Sequence, residues 1–109
     1  MIFRKWLAEY IGTAALVCVV VGSGIMGTNL SKDSGVALLI NAFSTIFTLA
    51  LLILIIAPIS GAHFNPAVSL VQVLRREMNA VEFLSFVSAQ IAGAITGAVI
   101  ANVMFDLQA

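Results

Sequence analysis

The chain has 109 residues, of which five are Lys or Arg and five are Asp or Glu, so charged residues make up 9% where a soluble domain has about 25%. Apolar residues reach 61% and the mean hydropathy is +1.14, which is more apolar surface than a chain of this size can bury from water. Zero net charge without a basic or acidic block gives no reason to expect a nucleic-acid partner, and a single cysteine excludes an internal disulfide framework and a cysteine-based metal site.

Charged residues divide the chain into three uncharged windows, at residues 10–31, 34–74 and 83–105. Because a hydrocarbon core of about 30 Å requires about 20 apolar residues in a helix, the first and third windows predict one span each. The middle window begins with a third apolar run. The predicted membrane-spanning helices cover about 7–29, 36–57 and 80–104. We therefore expect an all-α membrane protein whose residues 1–109 form a single domain.

The remainder of the middle window, residues 58–74, differs from the spans. Pro66 lacks an amide hydrogen and disfavours helix at the residue before it, so one unbroken helix cannot pass through. A new helix can begin at Pro66 with Asn65 as its cap, and it would be about half a bilayer long. We predict a re-entrant loop and half-helix over 58–74, which is tolerated in lipid only against protein or a wet cavity. The alternative is a loop followed by an amphipathic helix on the membrane surface.

The basic residues predict the orientation. Four of the five would lie on one side of the membrane: Arg4, Lys5, Arg75 and Arg76. This side is expected to be cytoplasmic, with the N-terminus inside, and we expect the membrane to be a bacterial inner membrane. A cleaved signal peptide is the competing interpretation of the N-terminus, and Glu9 argues against it.

The third span carries small residues at every fourth position: Ala89, Gly93, Gly97 and Ala101. Such a stripe allows the backbones of two helices to approach closely. The pattern predicts a tightly packed helix pair without identifying the partner.

Few polar residues lie at lipid depth. Asn65 would place a side-chain amide and the positive end of a helix dipole in the centre of the bilayer. Glu9 either extends to the membrane interface or accepts hydrogen bonds from the irregular loop, which Gln90 could also bind. We expect His63 to be a hydrogen-bond partner that fixes the loop, and the alternative is a proton-transfer group or ligand. Since no nucleophile and base occur together, we expect neither an enzyme nor a cofactor or metal.

Residues 60–68, Ser-Gly-Ala-His-Phe-Asn-Pro-Ala-Val, resemble the signature of the aquaporin and glycerol-facilitator family, the major intrinsic proteins. Residues 8–13 resemble the first-helix motif of that family and residues 89–94 its third-helix motif. The resemblance covers essentially the whole chain, but only the first half of a family member. It implies one inverted-repeat half of the aquaporin fold: three transmembrane helices plus a re-entrant half-helix.

The resemblance also implies roles for individual residues. The pore or substrate-binding residues would be Gly61, Ala62, His63, Asn65, Pro66, Ala67 and Thr45, and the loop-supporting residues Glu9 and Gln90. Asn65 would donate to permeating water. Thr45, twenty residues before that asparagine, would occupy a constriction where water channels of the family generally have an aromatic residue. The smaller side chain suggests passage of small neutral solutes, such as glycerol or undissociated metalloid hydroxides, unless Thr45 only bonds its own helix backbone.

The second Asn-Pro-Ala and the arginine that follows it in the family are absent from this sequence. We therefore expect half of a passive channel for water and small neutral solutes, in contact with the lipid bilayer. It would need a complementary half-channel or further copies of itself in an oligomer, and a split or truncated family member is favoured over an antiparallel homodimer. The alternatives are a subunit of a small proton-coupled multidrug exporter and a non-conducting truncated channel fragment.

Overall fold

The computed structural model describes residues 2–106, and these residues fold into four helices. The helices are α1 (Ile2–Leu30), α2 (Ser34–Ser60), α3 (Pro66–Leu74) and α4 (Ala80–Met104). Helices α1, α2 and α4 are long and apolar enough to cross a membrane, whereas α3 has nine residues. No strand occurs among residues 2–106. The predicted fold class, all-α with three apolar spans and one half-length helix, is confirmed.

Three of the helices begin at side-chain caps that the sequence supplies. Asp33 Oδ1 accepts from the amides of the first turn of α2, and Asn65 Oδ1 accepts from Ala67 N at 2.8 Å at the start of α3. Asn79 Oδ1 accepts from Glu82 N at 2.8 Å, which opens α4 with a capping box. Because each cap satisfies backbone donors that a helix start leaves free, these positions set where the chain turns back.

Helix α2 is longer than the predicted span. It continues past residue 57 to Ser60 and therefore contains Pro58. The irregular stretch therefore begins at Gly61, and the prediction that it begins at residue 58 is wrong. Pro58 lies in the last turn, where its missing N–H removes one helical hydrogen bond. Gly61 then ends the helix in the left-handed region, at φ 95°, with its N–H donating to the carbonyl of Ala57 at 2.9 Å.

Helix α1 lies between α2 and α4 and packs against both, and α3 packs against α4. The contact between α1 and α4 is a backbone contact. A Cβ at Gly93 would lie 2.5 Å from the carbonyl oxygen of Tyr10, and one at Gly97 would overlap the carbonyl of Ala14. The stripe of small residues on α4 is thus used inside the chain, against α1.

The outer surface of α2 is apolar. Leu38, Phe47 and Leu54 are each at least two-thirds exposed, and polar side chains are buried on the inner side of the bundle. This distribution is the reverse of that in a water-soluble helical domain and suits contact with lipid tails.

Candidate functional site

The loop between α2 and α3 has an unusual backbone. Gly61, Ala62 and Phe64 all have positive φ, at 95°, 54° and 55°. For residues with a Cβ this conformation costs roughly 1–2 kcal/mol each. Such a loop persists only where its surroundings hold it in place.

Glu9 of α1 supplies the main support. Its side chain has no exposed surface. Oε2 accepts from Ser60 Oγ at 2.6 Å and His63 N at 3.1 Å, while Oε1 accepts from Phe64 N at 2.9 Å and Gln90 Nε2 at 2.9 Å. Four donors use the full accepting capacity of a carboxylate. Of the two alternatives for Glu9, the structure shows the one in which it accepts hydrogen bonds from the irregular loop.

A second set of bonds joins the loop to α3 and α4. Gln90 Nε2 also donates to Ser69 Oγ at 3.1 Å, and a hydrogen bond of 2.8 Å joins Ser69 Oγ to His63 Nδ1. The His63 ring packs on Phe86 with 4.8 Å between ring centroids. We call the residues of both sets the loop anchor: Glu9, Ser60, His63, Ser69 and Gln90.

Sequence reasoning assigned no role to Ser60 or Ser69. Ser60 is the last residue before the glycine that ends α2, and Ser69 is the only hydroxyl residue of α3. A hydroxyl placed one turn after Asn65, in a half-helix that otherwise has a single polar side chain, is the signal that could have identified Ser69.

Beyond the loop anchor, the tip of the half-helix is open. Asn65, Pro66 and Ala67 are all exposed. The Oδ1 atom of Asn65 is used in capping α3, and its Nδ2 has no hydrogen-bond partner among the described residues. The tip therefore presents an amide donor at the positive end of a short helix.

A cleft of about 230 Å³ lies beside this tip, and we call it the Asn65 cleft. It is lined by Thr13, Val17, Phe64, Asn65, Pro66, Gln90, Ile91 and Ala94. Two atoms of these lining residues, Thr13 Oγ1 and Gln90 Oε1, are buried and lack a hydrogen-bond partner in the described part of the chain. These two atoms have almost no accessible surface, so the polar group that this region exposes is the amide of Asn65.

Thr45 belongs to neither the loop anchor nor the Asn65 cleft. It lies half-buried on α2, and its Oγ1 is buried without a hydrogen-bond partner within residues 2–106. The alternative that its hydroxyl bonds the backbone of its own helix is not seen. The remaining predicted site residues, Gly61 and Ala62, lie in the loop itself, exposed and half-buried respectively.

Metal-ligating side chains do not cluster in the described residues: no group of three or more His, Cys, Asp and Glu lies close enough to hold an ion. The chemistry of the site is therefore that of neutral hydrogen-bonding groups around one buried carboxylate.

Comparisons with known proteins agree with this architecture. The family model of the major intrinsic proteins matches residues 1–108. The chain is 48% identical over 104 residues to aquaglyceroporin AqpS of Rhizobium meliloti, an alignment that covers 95% of the chain and 45% of the relative. It is 34% identical over 96 residues to aquaporin A of Dictyostelium discoideum, covering 88% of the chain and 34% of the relative. It is also 34% identical over 98 residues to glycerol uptake facilitator protein-like 6 of Lactiplantibacillus plantarum, covering 84% and 39%. The chain spans less than half the length of these relatives.

Proposed function

Because the chain belongs to the major intrinsic protein family, we propose that it is one half of a passive membrane channel for water and small neutral solutes, which a second half completes. The three long apolar helices and the family make it an integral membrane protein. Similarity to an aquaglyceroporin and to a glycerol uptake facilitator supports small neutral solutes as a class.

The observation that carries the proposal is the exposed tip of α3 with the free Nδ2 of Asn65. An unpaired amide donor facing hydrocarbon would cost several kcal/mol, so the tip must face water or protein. The loop anchor holds the tip rigidly, which lets Asn65 donate to the oxygen of a passing molecule. The positive end of the half-helix also disfavours cations at the same point.

The need for a second half follows from how open the tip is. On one side the loop is held by α1 and α4, whereas Asn65, Pro66 and Ala67 remain exposed on the other. This chain would supply the N-terminal end of one half-helix and one wall of the pore. A selective pore requires that the open side also be lined by protein, and the longer relatives have chain available to do this.

We further propose that Arg4, Lys5, Arg75 and Arg76 lie on the cytoplasmic side of a bacterial inner membrane. Arg75 and Arg76 directly follow α3, and Arg4 and Lys5 lie near the start of α1. Both pairs are thus found at helix ends, where a charged side chain can reach the headgroup region.

The structure argues against a proton-coupled exporter. Such a protein needs an acidic group in the membrane that binds and releases protons. In this chain the two oxygens of Glu9 are occupied by four hydrogen bonds that hold the loop. The half-length of α3 also leaves three spans within residues 2–106.

Water flux in vesicles tests the proposal. The chain is reconstituted alone, or together with the part of Rhizobium meliloti AqpS that it does not match, and shrinkage after osmotic shock is followed by stopped-flow light scattering. We expect the combination to accelerate shrinkage without ion conductance and the chain alone to match empty vesicles. A combination that co-purifies as a complex and still shrinks at the empty-vesicle rate would identify a non-conducting fragment and overturn the proposal.

A further inference from the structure

The hydrogen bonds of the loop anchor determine which nitrogen of the His63 ring carries the proton. A neutral imidazole has one nitrogen that donates and one that accepts, and the partners of the ring set which is which. In this chain Nδ1 of His63 bonds Ser69 Oγ, a hydroxyl that can donate or accept. The direction of that bond follows from the groups behind Ser69.

The chain of donors begins at Glu9. A carboxylate only accepts, so the atom of Gln90 that lies 2.9 Å from Glu9 Oε1 is the amide nitrogen, Nε2. The same nitrogen lies 3.1 Å from Ser69 Oγ, and because an amide nitrogen only donates, Ser69 Oγ accepts this bond. Glu9 thus fixes the orientation of Gln90, and Gln90 makes Ser69 Oγ an acceptor once.

Ser69 still has one hydroxyl hydrogen to donate. The residue has no exposed surface, so bulk water does not reach it. Among the described residues the remaining partner of Ser69 Oγ is His63 Nδ1, at 2.8 Å, while the carbonyl of Asn65 bonds the backbone amide of Ser69. Because buried hydroxyls in native proteins are paired, the hydroxyl donates to Nδ1. The ring is then neutral, with its proton on Nε2.

The Nε2 atom lies at the surface of the loop. It has no hydrogen-bond partner among the described residues and is not one of their buried unpaired atoms, so it is accessible from outside the chain. A Cβ at Gly61, which is exposed, would lie 3.2 Å from it. Nε2 and the Nδ2 of Asn65 are therefore two uncharged N–H groups that the loop leaves free.

We propose that Ser69 is a positioning residue, whose hydroxyl holds His63 in the neutral form protonated at Nε2, and that this N–H is a second donor to a solute in the channel. Two uncharged donors match solutes that accept hydrogen bonds at oxygen, such as water and alcohols. The role toward solutes rests on the proposed function, whereas the form of the ring is a property of this chain alone.

NMR of the full chain with nitrogen-labelled histidine tests the assignment in lipid vesicles. The sequence has one histidine, so the ring signals come from His63. Protonated and unprotonated ring nitrogens have well-separated chemical shifts, and couplings to the carbon-bound ring hydrogens distinguish Nε2 from Nδ1. We expect a protonated Nε2 and an unprotonated Nδ1.

Two substitutions of Ser69 separate its hydroxyl from its place in the fold. Ser69→Ala removes the donor, and Ser69→Thr keeps a hydroxyl there. We expect the ratio of the Nε2–H form to the Nδ1–H form to fall about fivefold in Ser69→Ala, the equivalent of one hydrogen bond, and to be retained in Ser69→Thr. Hydrogen exchange at the amides of His63 and Phe64, which both bond Glu9, reports whether the loop stays folded.

Ser88→Ala is the matched control, because Ser88 is exposed on α4 and bonds Trp6 instead of the loop. It should leave the ring signals unchanged. The inference would be overturned by a wild-type ring protonated at Nδ1 or at both nitrogens, and by a ratio that Ser69→Ala leaves unchanged or that Ser88→Ala lowers as much. If Ser69→Ala opens the loop, a protonated Nε2 in both the wild type and Ser69→Thr supports the inference, and a protonated Nδ1 in either overturns it.

The ring spectrum needs no second half, so it separates this inference from the proposed function. A protonated Nε2 without water flux in a purified complex with the unmatched part of AqpS would refute the proposed function and leave the role of Ser69 intact. Flux with a protonated Nδ1 would do the opposite. In a conducting complex we expect lower water flux for Ser69→Ala than for Ser69→Thr. Equal flux in the two would show that Nε2 is not a donor to the solute.

Discussion

In the loop anchor both oxygens of Glu9 are fully hydrogen-bonded, whereas two residues beyond His63 the Nδ2 of Asn65 has no partner among the described residues. The two regions share one loop, and they differ in what surrounds them. The loop anchor is enclosed by α1 and α4, and the tip of α3 is exposed. The chain therefore fixes the shape of this loop with its own side chains and leaves the amide donor of Asn65 available. Substitutions can separate these two roles.

The largest expected effect comes from Glu9→Ala, which removes the centre of the loop anchor. Two backbone amides, a hydroxyl and the amide of Gln90 would lose their acceptor while the strained loop lost its support. We expect the free energy of unfolding to fall by about 3–5 kcal/mol. Unfolding by sodium dodecyl sulfate in mixed micelles measures it, and hydrogen exchange at the amides of His63 and Phe64 should rise.

Glu77→Gln is the control for Glu9, because Glu77 is an exposed carboxylate that pairs with Arg75 at the surface. It should change the free energy of unfolding by less than about 0.5 kcal/mol. If Glu9→Ala and Glu77→Gln had equal effects, the loop would be held by something other than the loop anchor, and the contrast between the two regions would be lost.

The next effect concerns the contact that keeps α1 and α4 together around the loop anchor. Gly97→Ala should destabilise the chain by about 1–3 kcal/mol, because the new Cβ overlaps the carbonyl of Ala14 and forces the helices apart. Gly22→Ala is the matched control, since a Cβ there meets Phe105 at an ordinary 3.5 Å. Equal unfolding free energies for the two variants would show that the close approach is unimportant for stability.

A smaller effect on stability is expected at the tip. Asn65→Ala removes one helix cap, which costs about 1 kcal/mol, and it should abolish most of the water flux of the completed channel. Asn79→Ala removes the corresponding cap of α4 at a similar cost in stability and should leave flux unchanged. The tip and the loop anchor would not have separate roles if Asn65→Ala destabilised the chain as strongly as Glu9→Ala. The same holds if the completed channel with Asn65→Ala conducted water normally.

Much of the fold could be predicted because it depends on local features. The three spans follow from uncharged apolar length, and the start of α3 follows from the cap and fixed φ of Asn65 and Pro66. The extension of α2 through Pro58 could not be read from the sequence. It depends on whether the last turn of α2 keeps a backbone hydrogen bond, which Gly61 N supplies by donating to the carbonyl of Ala57.

The site divides in the same way. Glu9 and Gln90 were identifiable because polar groups at lipid depth need partners, and the structure places both at the loop. Ser69 was not, because its role as a bridge between His63 and Gln90 depends on how α3 packs on α4. The lack of hydrogen-bond partners for Thr13 Oγ1 and Gln90 Oε1 within the described residues is likewise a tertiary property, because it depends on which groups pack around these side chains.

The smallest effect on stability is expected at Thr45, which lies outside both regions. Since its buried Oγ1 has no partner within the described residues, Thr45→Val loses no hydrogen bond and should leave the free energy of unfolding within about 0.5 kcal/mol of the wild-type value.

The substitution Thr45→Trp instead places a bulky side chain at this position of α2. If Thr45 lines the constriction, it should reduce glycerol flux of the completed channel more than water flux, because the larger solute needs the width. Ala50→Trp is the control, since Ala50 is exposed on the same helix. Equal glycerol flux in the two tryptophan variants would remove Thr45 from the constriction and leave the tip of α3 as the part of this chain that solutes meet.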